Sequence, residues 1–128
     1  MIDYRKNKLD ANHLSLVAAL QARGVMVEQL GQPVDILGAY RGFTGFGEIK
    51  IKGSAAKFTR VQLQWIARTR WPIAIVHDID EAMEYFTSGN GLTDSDKYRL
   101  QQLLDGDRQR RFFTPAEVSK ALCFRGMM

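Results

Sequence analysis

The sequence predicts an α/β fold: a small mixed β-sheet with flanking helices, followed by a helical C-terminal extension. Three observations carry this. Helical and alternating apolar patterns succeed one another as helix, three strands, helix, strand, helix, ending near Thr87. Two alternating runs, Val34 to Tyr40 and Gly45 to Ile51, are separated only by Arg41-Gly42-Phe43-Thr44, short and glycine-bearing enough for an antiparallel hairpin. A helical stretch then intervenes before the next strand, which permits a parallel crossover and a sheet covered on both faces.

Each element has its own signal. Asp10 is a good N-cap for a helix running to Arg23, with Leu16, Val17 and Leu20 at helical spacing and Gly24 suited to the left-handed C-terminal position. Val25 to Leu30 favours a strand through β-branched residues and alternation. Lys52 to Lys57 is a flexible basic loop. Thr59 followed by Gln62 matches a capping box, and Val61, Trp65 and Ile66 give an amphipathic helix ending near Arg70, stopped by Trp71-Pro72. Ile73 to His77 is a nearly continuous apolar run, the pattern of a strand buried on both faces. Asp80 to Phe86 closes the core as a short helix.

Ser88-Gly89-Asn90-Gly91 breaks the pattern, dividing a core over residues 1–87 from an extension over 88–128. In the extension, Asp94 to Leu104 reads as a helix with Tyr98, Leu100, Leu103 and Leu104 on its apolar side. Thr114-Pro115 begins another, since Thr caps and Pro suits the first helical position.

A length of 128 residues fits one domain, and 45% hydrophobic with 25% charged residues argues against disorder. No apolar run approaches the roughly 20 residues that span a bilayer, so no membrane partner is expected. No apolar segment follows the first charged residues, so no secretory leader is expected. A single cysteine, Cys123, allows neither an internal disulfide nor a multi-cysteine zinc site and suits a reducing cytoplasm. The formal net charge of +4 divides evenly between residues 1–87 and 88–128. It permits nucleic-acid binding without demanding it.

The residues that carry chemistry are Asp35, Glu48 and Lys50. Glu48 and Lys50 are two apart on one strand and leave the same face. With Gly42-Phe43 as the turn, Asp35 falls opposite Lys50 and diagonal to Glu48; a one-residue slip would turn it away. Clustered carboxylates repel each other when ionised, and a divalent cation relieves that cost. Mg²⁺ takes oxygen ligands, commonly one or two carboxylates plus substrate phosphate, and the Ile49 carbonyl is a further candidate. Such an ion polarises a phosphodiester and lowers the pKa of bound water, which Lys50 can orient or deprotonate.

Pro33-Val34-Asp35, twelve residues, then Glu48-Ile49-Lys50, resembles the signature of the PD-(D/E)xK nuclease superfamily. The similarity is closest to its small VRR-NUC and Holliday-junction-resolvase-like branch, often encoded by phages and prophages. It covers roughly residues 9–87. Phe58-Thr59-Arg60-Val61-Gln62, Trp65, Trp71-Pro72-Ile73 and Asp80-Glu81-Ala82 are similar to the branch's second half. The resemblance implies a restriction-endonuclease-like core, with Asp35 and Glu48 as metal ligands, Lys50 as catalytic lysine and Gln62 reaching the site from the start of its helix. Members often carry a Glu on the first helix that completes metal binding. None occurs between Ala11 and Arg23, where Asp10 or His13 stands nearest.

The expected function is therefore a Mg²⁺-dependent, or Mn²⁺-dependent, endonuclease hydrolysing DNA phosphodiester bonds, with RNA open as a substrate. A homodimer follows if branched DNA is cut on two strands. The alternative is a nuclease-like DNA-binding module that has lost hydrolysis, motivated by the missing Glu. A third, weaker class gives the extension a protein-interaction role. Lys52, Lys57, Arg60, Arg68 and Arg70 flank the site as candidate phosphate contacts. The plainer reading of the acidic pair and lysine is an exposed salt-bridged face worth about 0–1 kcal/mol. Against it, Gly45 and Gly47 leave room beside Glu48 for close substrate approach. Trp65 and Trp71 read as core and rim, and His77 as a strand end without function.

Overall fold

A computed structural model describes residues 11–51 and 56–123. Asp10, Lys52 and most of the basic loop lie outside them. The described elements run α1 (Ala11–Ala22), β1 (Met26–Gln29), β2 (Ile36–Tyr40), β3 (Phe43–Ile49), β4 (Phe58–Thr59), α2 (Arg60–Arg68), β5 (Ile73–Val76), α3 (Ile79–Ser88), α4 (Asp94–Asp105), β6 (Phe112–Phe113) and α5 (Pro115–Cys123). Four strands form a mixed sheet in the order β1-β2-β3-β5. β1, β2 and β3 are antiparallel, and β5 returns parallel to β3 after α2, as the intervening helix allows. Among the described residues no helix is long and apolar enough to cross a membrane.

The hairpin corrects the expected register. Its loop is Arg41-Gly42, both residues left-handed with φ of 48° and 86°, the conformation a two-residue hairpin needs to match strand twist. Arg41 stands where Asn or Asp is usual, which hides the turn from a reading that looks for Gly first. β2 pairs with β3 as Tyr40 with Phe43 and Ile36 with Gly47. Extended one residue, this sets Asp35 opposite Glu48 and not Lys50. The ladder itself ends at Ile36 with Gly47, and beyond it Val34 and Ile36 turn to opposite sides of the sheet, so the place of Asp35 is fixed by its own hydrogen bonds to Glu48 and Ile49.

The sheet is covered on both sides. On one, Ile36, Ile49, Ala74 and Val76 pack with Leu16, Val17 and Leu20 of α1 and Ala82, Tyr85 and Phe86 of α3. On the other, Ile73 and its neighbours pack with Leu63 and Ile66 of α2, Leu100 and Leu104 of α4, Phe113 and Val118. Alternation along β5 sends Ala74 and Val76 to the first cluster and Ile73 and Ile75 to the second.

The expected extension is thus built into the second cluster. β6 pairs antiparallel with β4, and Leu92 N–H donates to Ile73 O at 2.7 Å. Arg60 ties the two parts further, with Nε donating to Arg110 O at 2.6 Å and Nη2 to Leu104 O at 3.0 Å and to Asp107 O. Two side chains assigned to apolar helix faces are instead exposed, Val61 (73%) and Tyr98 (65%), and Trp71, read as rim, is 66% exposed. Leu63 and Ile66 supply the buried side of α2.

Candidate active site

Glu48 is the centre of the site. Its parity on β3 directs it, with Phe46 and Lys50, toward α2, and it is fully buried, with no exposed surface. Asp35 N–H donates to Glu48 Oε1 at 3.2 Å, and Gln62 Nε2 donates to Oε2 at 3.1 Å. Lys50 Nζ lies 3.3 Å from the same Oε2. The Asp35 carboxylate is held in turn by Ile49 N–H, which donates to Oδ2 at 2.7 Å. Asp35, Glu48, Lys50, Gln62 and the Ile49 backbone therefore meet at the C-terminal end of β3.

Local structure explains each position. Thr59 and Gln62 form the reciprocal capping box, Gln62 N–H donating to Thr59 Oγ1 and Thr59 N–H to Gln62 Oε1, both at 3.0 Å. The cap occupies Oε1 of Gln62, and its Nε2 is then aimed at Glu48, so one side chain caps the helix and reaches the site. Lys50 is 8% exposed, with Nζ 4.7 Å from the Phe58 ring centroid and donating to Lys57 O at 3.4 Å. Phe58 was not visible as a site residue, because a lone aromatic between Lys57 and Thr59 has no period to betray it.

Burial pushes the Glu48 carboxyl up to about 8, and the negative charge of Asp35 acts in the same direction. The Lys50 ammonium pulls it down without prevailing. A carboxyl so placed gains from any further positive charge, and the oxygen donors at hand fit a hard divalent cation: Asp35, Glu48 and the Ile49 carbonyl, which shares a strand edge with its N–H. Among the described residues, Asp35 and Glu48 are the two carboxylates that meet here. Among the described residues no group of three or more His, Cys, Asp or Glu gathers to hold a metal ion. His13 Nδ1 on α1 lies 4.0 Å from Asp35 Oδ1, so the first helix meets the site through His13.

The basic residues divide. Lys57 is exposed beside Lys50, whereas Arg60, expected among the phosphate contacts, directs its guanidinium at carbonyls of the C-terminal segment. Gly45 and Gly47 do not open space beside Glu48. Their parity turns them to the opposite face, where a Cβ at Gly45 would overlap the Tyr85 hydroxyl. His77 Nδ1 sits 2.8 Å from Glu81 Oε1, an i,i+4 pair at the start of α3. Comparison with protein-family models, with curated proteins and with solved structures finds no match for this chain.

Proposed function

We propose that this protein is a metal-dependent endonuclease hydrolysing DNA phosphodiester bonds with Mg²⁺, or with Mn²⁺ in its place. The observation that supports it most is Glu48, a wholly buried carboxylate set between Asp35, Lys50 and Gln62. The element order, a helix, an antiparallel trio of strands, a helix and a parallel strand, supports the restriction-endonuclease-like core implied by the PD-(D/E)xK resemblance. A cytoplasmic location belongs to this reading, as does a symmetric dimer for branched substrates.

Asp35, Glu48 and the Ile49 carbonyl would hold the cation, which when bound polarises the phosphodiester and acidifies water. Gln62 and Asp35 N–H fix the Glu48 carboxylate by one bond to each oxygen. Lys50 is braced by Phe58 and by Lys57 O, so its ammonium has a set position from which to orient the attacking water and face the charge that develops on phosphate. The test is incubation with branched, single-stranded and duplex DNA plus Mg²⁺ or Mn²⁺. Glu48→Ala should lower cleavage by about 10³-fold or more, and Lys50→Ala should lower kcat far more than DNA affinity. Cleavage that survives Glu48→Ala or EDTA overturns the proposal.

A second reading, a DNA-binding module without hydrolysis, is favoured by one observation: Glu48 is already satisfied by two N–H donors and the Lys50 ammonium. Salt-dependent DNA binding with no heat of Mg²⁺ binding and no cleavage would select it.

A further inference from the structure

Away from Glu48, a polar cleft of about 480 Å³ lies between the C-terminal end of α2 and the first turns of α4. Its charged lining is Arg68, Arg70 and Lys97 against Asp94, an excess of positive charge. Lys97 builds the cleft, since its Nζ donates to Thr69 O at 2.7 Å and so ties the end of α2 to α4. Arg68 and Arg70 are exposed. So are two large rings: Tyr98 lines the cleft and is 65% exposed, and Trp71, next in the chain to Arg70, is 66% exposed. Trp71 leans edge-on against Phe46 with centroids 6.3 Å apart, which fixes the ring while leaving most of it in solvent.

Exposed rings interleaved with guanidinium groups form the surface on which unpaired bases stack while phosphates are neutralised. A duplex does not fit this chemistry, because its bases are already stacked on one another. We propose that the cleft binds an unpaired nucleic-acid strand, with bases on Trp71 and Tyr98 and phosphates on Arg68 and Arg70. This rests on the reading of a polynucleotide substrate and narrows it to one with a single-stranded arm. The connection to Glu48 is α2 itself. Its first turn carries Gln62 to the carboxylate and its last turn carries Arg68 to the cleft. Gln62 and Arg68 are six residues apart on this helix, a rise of roughly 9 Å, which is a span of a few nucleotides.

The experiment is fluorescence anisotropy in EDTA, where metal-dependent cleavage is silent, with labelled oligo-dT and a blunt duplex of equal length. Trp71→Ala and Tyr98→Ala should each weaken oligo-dT binding roughly 5- to 100-fold and leave duplex binding unchanged, and Trp71→Tyr should restore it. Replacing Arg68 and Arg70 together by Ala should reduce the salt slope by about 1.4, two single-strand phosphate contacts. Oligo-dT affinity indifferent to both aromatic substitutions overturns the proposal, as does poly-glutamate binding as tightly as oligo-dT, which would mark a protein partner. The catalytic reading fails separately, by absence of cleavage while oligo-dT binding keeps its dependence on Trp71 and Tyr98.

Discussion

The two faces of the sheet are made by the same strands and differ in what they bury. Toward α1 and α3 the contacts are aliphatic and aromatic, and close enough to require glycine: a Cβ at Gly38 would overlap the Phe86 ring, and one at Gly45 the Tyr85 hydroxyl. Toward α2 the same strands send in Glu48 and Lys50 among the apolar groups. Burying polar or ionisable side chains costs stability that packed apolar side chains of similar volume do not. A face built for cohesion alone would therefore fill both positions with aliphatic residues. The first face holds the fold together, and the second gives up stability for a charged site that the proposed chemistry explains.

The pH dependence of stability tests this contrast most severely. Folding raises the Glu48 pKa from 4.5 to about 8, so the folded chain favours its protonated form. That contribution is complete below about pH 4.5 and is lost as pH rises through about 8, on the order of a few kcal/mol. Thermal melts in EDTA should show Tm falling across this window and a flatter profile for Glu48→Gln. Mg²⁺ or Mn²⁺ near the upper end should restore Tm in the wild-type chain only. Identical profiles for the two proteins would remove the difference between the faces.

The next effect belongs to the apolar face. Gly45→Ala should cost about 1–3 kcal/mol in urea denaturation, because the Tyr85 hydroxyl must move and its 2.8 Å bond to Phe46 O is disturbed. Adding Tyr85→Phe removes the overlapping atom and should recover part of the loss. The smallest effect is at Gln62, where Ala deletes half of the capping box and one donor to Glu48. Denaturation should register about 1 kcal/mol, and cleavage assays a fall of about tenfold.

Much of the site was legible because its ingredients are local. Glu48 and Lys50 two apart on a strand, the Thr59–Gln62 capping box and the parallel return of Ile73 to Val76 follow from periods of two and 3.6. The carbonyl partners of Arg60 were not legible because they lie at Leu104, Asp107 and Arg110, and nothing near it in the chain announces them. Tyr98 was read as an apolar contact because its spacing matches Leu104 and its neighbours on α4; its exposure depends on where α4 crosses the end of α2. Gly45 and Gly47 lack side chains for reasons on the opposite face, where a Cβ would meet Tyr85 at Gly45 and Ile36 at Gly47.

By itself the amino-acid sequence determined which residues share a strand face, where helices start, and that a hairpin joins the acidic residues, since steric limits and capping act within a few residues. Tertiary structure decided the hairpin register, through the left-handed Arg41-Gly42 turn, and the place of Asp35, through its hydrogen bonds to Glu48 and Ile49. It also decided that α2, braced by α4, α5 and β6, closes over Glu48 and leaves it without solvent. Burial is a property of everything that surrounds a side chain. Here the groups around Glu48 and Lys50, namely Asp35, Phe58 and Gln62, come from separate segments, so the site's electrostatics emerge only once those have packed.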